Sequence, residues 1–130
     1  MVTKRSKPRP TDAELAILSV LWQRGPSTVR EVHAALGKSR TTGYTTVLKL
    51  MQIMAEKGLV ERDERQRAHV YAARLAEHET QRQLVGDLLE RAFGGSAAKL
   101  VMHALSAQKS SDEELAQIRK LLDEFERGKK

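Results

Sequence analysis

The chain has no cysteine among its 130 residues, which excludes disulfides and thiolate-bound metals. Aromatic residues make up only 4% of it, so a core must be built mainly from Leu, Val, Ala and Met. No apolar run approaches the roughly 18 residues of a membrane span, so no membrane insertion is expected. The basic N-terminus lacks the apolar stretch of a signal peptide, and a cytoplasmic, bacterial-type protein is the simplest reading. Catalytic signatures are missing as well. His78-Glu79-Thr80-Gln81-Arg82 begins like a zinc-protease helix, but Arg82 stands where the second histidine must sit to bind metal. His33, His69, His78 and His103 give no ligand pair at useful spacing. Gly94-Gly95-Ser96 lacks the Lys-Ser/Thr of a phosphate loop, and there is no nucleophile elbow. We therefore expect no enzymatic activity, no metal and no cofactor.

What is present is charge, unevenly placed. Residues 1–75 hold 14 Lys and Arg against 7 Asp and Glu, a net of +7, while residues 76–130 hold 9 against 10, a net of −1. The first half therefore carries the attraction for a polyanion, and the second does not.

The most informative stretch runs from Thr41 to Gly58. Val47, Leu50, Met51 and Met54 recur at i, i+3, i+4 and i+7, the stripe of a helix packed on a core, and Gly58 closes it. The other face carries Thr45, Thr46, Lys49 and Gln52, with Thr42 and Arg40 just ahead. Hydroxyls, an amide and cations at a helix start suit phosphates and base edges, although an ordinary surface helix also turns such residues outward.

In chain order, residues 1–10 form a flexible basic arm, with Lys4, Arg5, Lys7 and Arg9 among prolines. Thr11 to Glu14 is a capping box opening a first helix to about Arg24, with Leu15, Leu18, Leu21 and Trp22 inward. Trp22 continues the apolar stripe, which favours a core role over stacking on a base. Gly25-Pro26 stops the helix. Thr28 to Glu31 is a second capping box, and Val29, Val32 and Leu36 face inward along a second helix ending at Gly37. Arg30 in its first turn faces a phosphate or solvent, and His33 reads as a surface residue. Two short helices, a turn and a longer helix are the order of a helix-turn-helix, though three-helix bundles share it.

Leu59–Asp63 and Ala68–Arg74 read as strands around the polar tip 64–67. A hairpin directly after the reading helix, carrying Arg62, Arg65 and Arg67, makes a winged helix over residues 11–75. An arginine-rich tip also solvates an edge strand, but its position favours DNA.

Beyond Leu75 three amphipathic helices are expected over residues 76–130. The first carries Leu84, Leu88, Leu89 and Phe93 on one face and breaks at Gly94-Gly95. The second carries Leu100, Val101 and Leu105. The third opens with Ser111 and Glu114 and carries Leu115, Ile118, Leu122 and Phe125. Such a segment cannot bury its apolar faces alone. Homodimerisation is the favoured use, because symmetric dimers are the commonest oligomers and a dyad operator needs a two-fold reader. A compact monomer with these helices folded back is the alternative.

The tracts TDAELAILSVLW, TVREVHAAL, YTTVLKLMQIMAEKGLVERD and RAHVYAAR resemble the penicillinase-repressor family (BlaI/MecI/CopY). The resemblance is strong from Thr11 to Arg74 and looser to about Phe125. It implies a mainly α protein, a dimeric winged-helix repressor of double-stranded DNA operators with dyad symmetry, upstream of its own operon and of resistance genes. It maps groove reading onto Tyr44, Thr45 and Thr46, with Lys49 beside them, and the wing onto Arg65 to His69, Arg67 included. In β-lactam-sensing members a membrane sensor-protease triggers cleavage in the C-terminal region. Two departures stand out. The cleaved Asn-Phe bond of the best-known members aligns here with His103-Ala104, so both residue types differ. The copper-responsive branch uses C-terminal cysteines, and this chain has none. Two rivals remain: a winged helix that docks a partner protein, and a DNA-binding protein regulated without proteolysis.

Overall fold

A computed structural model describes residues 9–37 and 42–128. Arg40 and all but the last two residues of the expected basic arm lie outside the described residues. The elements run α1 (Asp12–Arg24), β1 (Ser27–Thr28), α2 (Val29–Leu36), α3 (Tyr44–Lys57), β2 (Val60–Asp63), β3 (Val70–Ala73), α4 (Glu77–Ala92), α5 (Ala97–Ala107) and α6 (Asp112–Gly128). The fold is mainly helical with a small winged-helix sheet. Among the described residues no helix is long and apolar enough to cross a membrane.

The chain divides within α4 into two compact units, one ending at Val85 and one beginning at Gly86. The first unit holds the core. Ile17, Leu18 and Leu21 of α1, Val29, Val32 and Leu36 of α2, and Val47, Met51 and Met54 of α3 are buried together. Leu59, Val60 and Tyr71 of the hairpin close the same cluster. The buried stripe of α1 is Glu14, Ile17, Leu18 and Leu21. Leu15 and Trp22, expected on that face, flank it and are half-buried. The reason is that α1 is apolar almost all round from Leu15 to Trp22, so periodicity alone leaves its phase open. Leu50 of α3 is likewise half-buried.

The strands form one antiparallel sheet in the order β1-β3-β2. Tyr71 sits at its centre, opposite Ser27 on one side and Arg62 on the other. The two-residue β1 was not expected from sequence; it exists only through its pairing with β3. Gly58 ends α3 in the left-handed region, φ 84°, and its amide donates to Ala55 and Met54 carbonyls. That turn feeds Leu59 and Val60 straight into the core. Trp22 Nε1 donates to the Leu75 carbonyl at 3.0 Å, so the indole is committed to tying α1 to the end of the hairpin.

The second unit has a different character. No residue of α5 or α6 is buried. Ser96 and Ser111 cap these helices, accepting from the amides of Lys99 and Glu114 at 3.2 and 3.0 Å. The α4–α5 turn at Gly94 and Gly95 uses positive φ at both. Leu100, Leu115 and Ile118 are half-buried, whereas Val101, Leu105, Leu122 and Phe125 are exposed. Of the expected α4 residues, Leu84, Leu89 and Phe93 are half-buried and Leu88 is exposed.

Candidate nucleic-acid interface

The core fixes how α3 is presented. With Val47, Met51 and Met54 turned inward, the opposite stripe of Thr45, Lys49 and Gln52 is exposed, and Thr46 is exposed beside it. The helix begins at Gly43, which has no side chain to cap it. The amides of Tyr44, Thr45 and Thr46 therefore have neither an intrahelical acceptor nor a capping side chain. Their dipole end favours an anion.

Tyr44 stands at this helix start with 42% exposure. Two residues of α2 flank its ring. His33 meets it edge-on at 5.9 Å between ring centroids and 85° between planes. The Arg30 guanidinium carbon lies 5.9 Å from its centroid. His33 is therefore not the plain surface residue expected from sequence. Its Nε2 lies 2.9 Å from the carbonyl of Thr42, which is half-buried.

A groove of about 460 Å³ separates α3 from the wing. Arg30 and Tyr44 line one wall, Arg62, Arg67 and His69 the other, with Gln52 along it. Cations from two distant stretches thus face one cleft, whose α3 lining is Tyr44, Leu48 and Gln52.

The wing arginines are not equivalent. Arg65 grips Asp63 with two nitrogens, Nε at 3.0 Å from Oδ1 and Nη2 at 2.7 Å from Oδ2. That grip holds the Asp63 carboxyl down at about 2. Arg62 Nε donates to Glu64 at 2.7 Å. Both guanidinium groups are partly neutralised within the hairpin, and a phosphate must compete with a carboxylate for them. Arg67 and His69 are exposed and have no polar partner among the described residues. Lys49 is free in the same sense.

Of the residues singled out from sequence, Tyr44, Arg67 and His69 line the groove, and Thr45, Thr46 and Lys49 are exposed on α3 outside its lining. Thr42 contributes a carbonyl that is already engaged. Arg65 is 88% exposed by side chain but paired. His103 and Ala104 lie within α5, both exposed, with the His103 ring 5.7 Å from that of Phe93. Among the described residues no cluster of three or more His, Asp or Glu is placed to hold a metal ion.

Comparison with known proteins gives a consistent result. The family described as penicillinase repressor matches residues 10–124. The transcriptional regulator BlaI of Mycobacterium tuberculosis is 36% identical over 119 residues, covering 90% of this chain and 85% of that one. The penicillinase repressor of Bacillus licheniformis is 25% identical over 123 residues, covering 95% and 96%. A solved structure of monomeric Bacillus licheniformis BlaI in complex with the blaP half-operator superposes with a TM-score of 0.50 at 25% identity, over 58% of this chain and 93% of that one.

Proposed function

The chain belongs to the penicillinase repressor family, and on that premise we propose that it binds a two-fold symmetric DNA operator as a homodimer. It is a DNA-binding transcriptional repressor of the BlaI type and not an enzyme. In our reading Tyr44, Thr45 and Thr46 enter the major groove, with Lys49 on the flanking backbone. Arg67, His69 and Arg65 of the wing contact phosphates. Arg40 and Thr42 belong to the approach to the same helix. The observation that carries this reading is the polar stripe of α3 displayed beside a groove lined by Arg30, Arg67 and His69.

Dimerisation is supported by the second unit. Leu122 and Phe125 are 59% and 72% exposed, and Val101, Leu105 and Leu88 are exposed with them. Large apolar side chains left in water on α4 to α6 favour a partner surface of the same kind. A dimer sets two α3 faces about 34 Å apart, one helical turn of DNA, or a multiple of that. The genes controlled are its own operon and resistance functions, and the setting is the cytoplasm. The release we propose is cleavage at His103–Ala104 prompted by a membrane sensor-protease, whose specificity must differ from one that cuts Asn-Phe, since both residue types differ here. In a single copy of the chain that bond is exposed, and Val101 and Leu105 beside it belong to the proposed dimer surface, so a cut there would weaken the dimer.

The test is a footprint of the purified protein on the DNA upstream of its gene, at near-physiological salt. A protected two-fold site supports the reading. Uniform binding seen only at low salt overturns it in favour of a protein-docking winged helix. Two substitutions then separate the roles. Thr46→Ala should lose about 1–3 kcal/mol of discrimination between operator and scrambled duplex. Arg67→Ala should weaken both duplexes alike and reduce the log–log salt slope by about 1. Equal losses from both substitutions on both duplexes would sink that division of labour.

A further inference from the structure

α1 and α2 begin with the same device. The Glu14 amide donates to Thr11 Oγ1 at 3.2 Å, and the Thr11 amide donates back to Glu14 Oε1 at 2.9 Å. Thr28 and Glu31 repeat the pair at the same distances. α3 has no such box, because Gly43 offers no side chain. A hydroxyl cap there would occupy an amide that the helix otherwise leaves open to a phosphate. The start of α3 is held from outside instead. A carbonyl only accepts, so the 2.9 Å contact between His33 Nε2 and Thr42 means that the ring donates through Nε2. The same ring abuts Tyr44. Thus the residue before the N-cap and the residue after it are both held by one side chain of α2, and the first-turn amides stay free.

We propose that His33 is a positioning residue for DNA reading, which sets the first turn of α3 and through it the placement of Thr45 and Thr46 against base edges. The proposal rests on α3 being the reading helix. Its logic is one of length. A threonine hydroxyl sits one carbon from the backbone and cannot reach after a base edge, so a displaced helix start loses the hydrogen bond outright. Lys49 and Arg67, on long side chains aimed at phosphates, follow such a shift without loss. His33 therefore matters for discrimination and not for general attraction to DNA.

Two variants of the full chain test this. His33→Phe keeps a ring against Tyr44 and removes the donor; His33→Gln keeps a donor and removes the ring. The probes are a duplex selected by the wild-type protein from a random pool and a scrambled duplex of the same composition. His33→Phe should bind the selected duplex about fivefold more weakly, the loss of one hydrogen bond, and the scrambled duplex within about twofold of wild type. His33→Gln should recover most of that loss. Amide exchange at Val47, whose N–H donates to Gly43 at 3.1 Å in the first turn of α3, should quicken in the Phe variant and return in the Gln variant. Wild-type discrimination by His33→Phe overturns the proposal. So does a parallel loss on both duplexes with a lowered melting temperature, which marks a folding role only. A wild-type protein that selects no sequence overturns the repressor reading itself, and Val47 exchange then still reports whether the helix start is anchored.

Discussion

The two units of this chain are patterned alike and finished differently. In the first, amphipathic helices close on each other and on a hairpin, leaving Ile17, Val32, Val47, Met51 and Met54 with no exposed surface. In the second, helices with equally regular apolar stripes leave α5 and α6 without a fully buried residue. An apolar stripe therefore states that a face must be covered, not what covers it. Charge divides the same way, since the basic excess belongs to residues 1–75 and the rest of the chain is close to neutral. The closed, basic unit is suited to DNA, and the open, balanced one is the unit to which the proposed function gives a second copy as partner.

The largest expected effect breaks the open unit. Changing Leu122 and Phe125 together to Asp places charge where apolar surface awaits a partner. Four lost side chains in a two-fold dimer remove about 4 kcal/mol or more of association, at least about a thousandfold in the dimer constant. Sedimentation equilibrium of wild type and variant measures this. A variant that associates like wild type, or a wild-type protein that never associates, would show that the exposed stripe has another use.

A smaller effect sharpens the contrast. Met51→Ala, in the closed unit, should cost about 2–5 kcal/mol in denaturant unfolding whatever the protein concentration. Leu121→Ala, at a residue 52% exposed, should cost little in dilute solution and more as concentration rises. If Leu121→Ala costs as much as Met51→Ala in dilute protein, the second unit has a core of its own and the comparison fails.

How much of this was legible in the sequence follows from distance along the chain. The capping boxes at Thr11 and Thr28 were readable because each is a contact between residues three apart. Gly58 was readable because only a residue without Cβ ends α3 easily at φ 84°. The hairpin and the outward face of Thr45 and Thr46 followed from period alone. Contacts that cross the chain did not. Nothing local marks Ser27 as the partner of Tyr71, or Trp22 as a donor to Leu75. His33 was misread because a histidine one step off the Val29–Val32–Leu36 stripe looks solvated until α3 is laid beside it. The self-pairing of Arg65 with Asp63 was within reach, since the turn brings residues two apart together, but counting arginines at a tip hides the carboxylates between them.

The smallest effect concerns a charge that the closed unit has taken in. Glu14 is 3% exposed, yet it receives the Thr11 amide and, at 2.8 Å, the Lys57 ammonium from the far end of α3. Burial pushes its carboxyl up. The hydrogen bonds from Lys57 and Thr11 and the Lys57 charge outweigh that, and the net value falls below the ordinary one. A depressed carboxyl stabilises the fold fully above its unfolded value, and that contribution disappears as pH falls through the folded value. Glu14→Gln keeps an acceptor for Thr11 but offers Lys57 no charge, so it should cost about 1–3 kcal/mol at neutral pH. The difference from wild type should then shrink through the acid range as Glu14 itself is neutralised. Urea unfolding of both proteins across that range, followed by a first-unit probe such as Trp22 fluorescence, measures it. A difference that stays constant with pH would mean that shape, and not charge, joins α1 to α3.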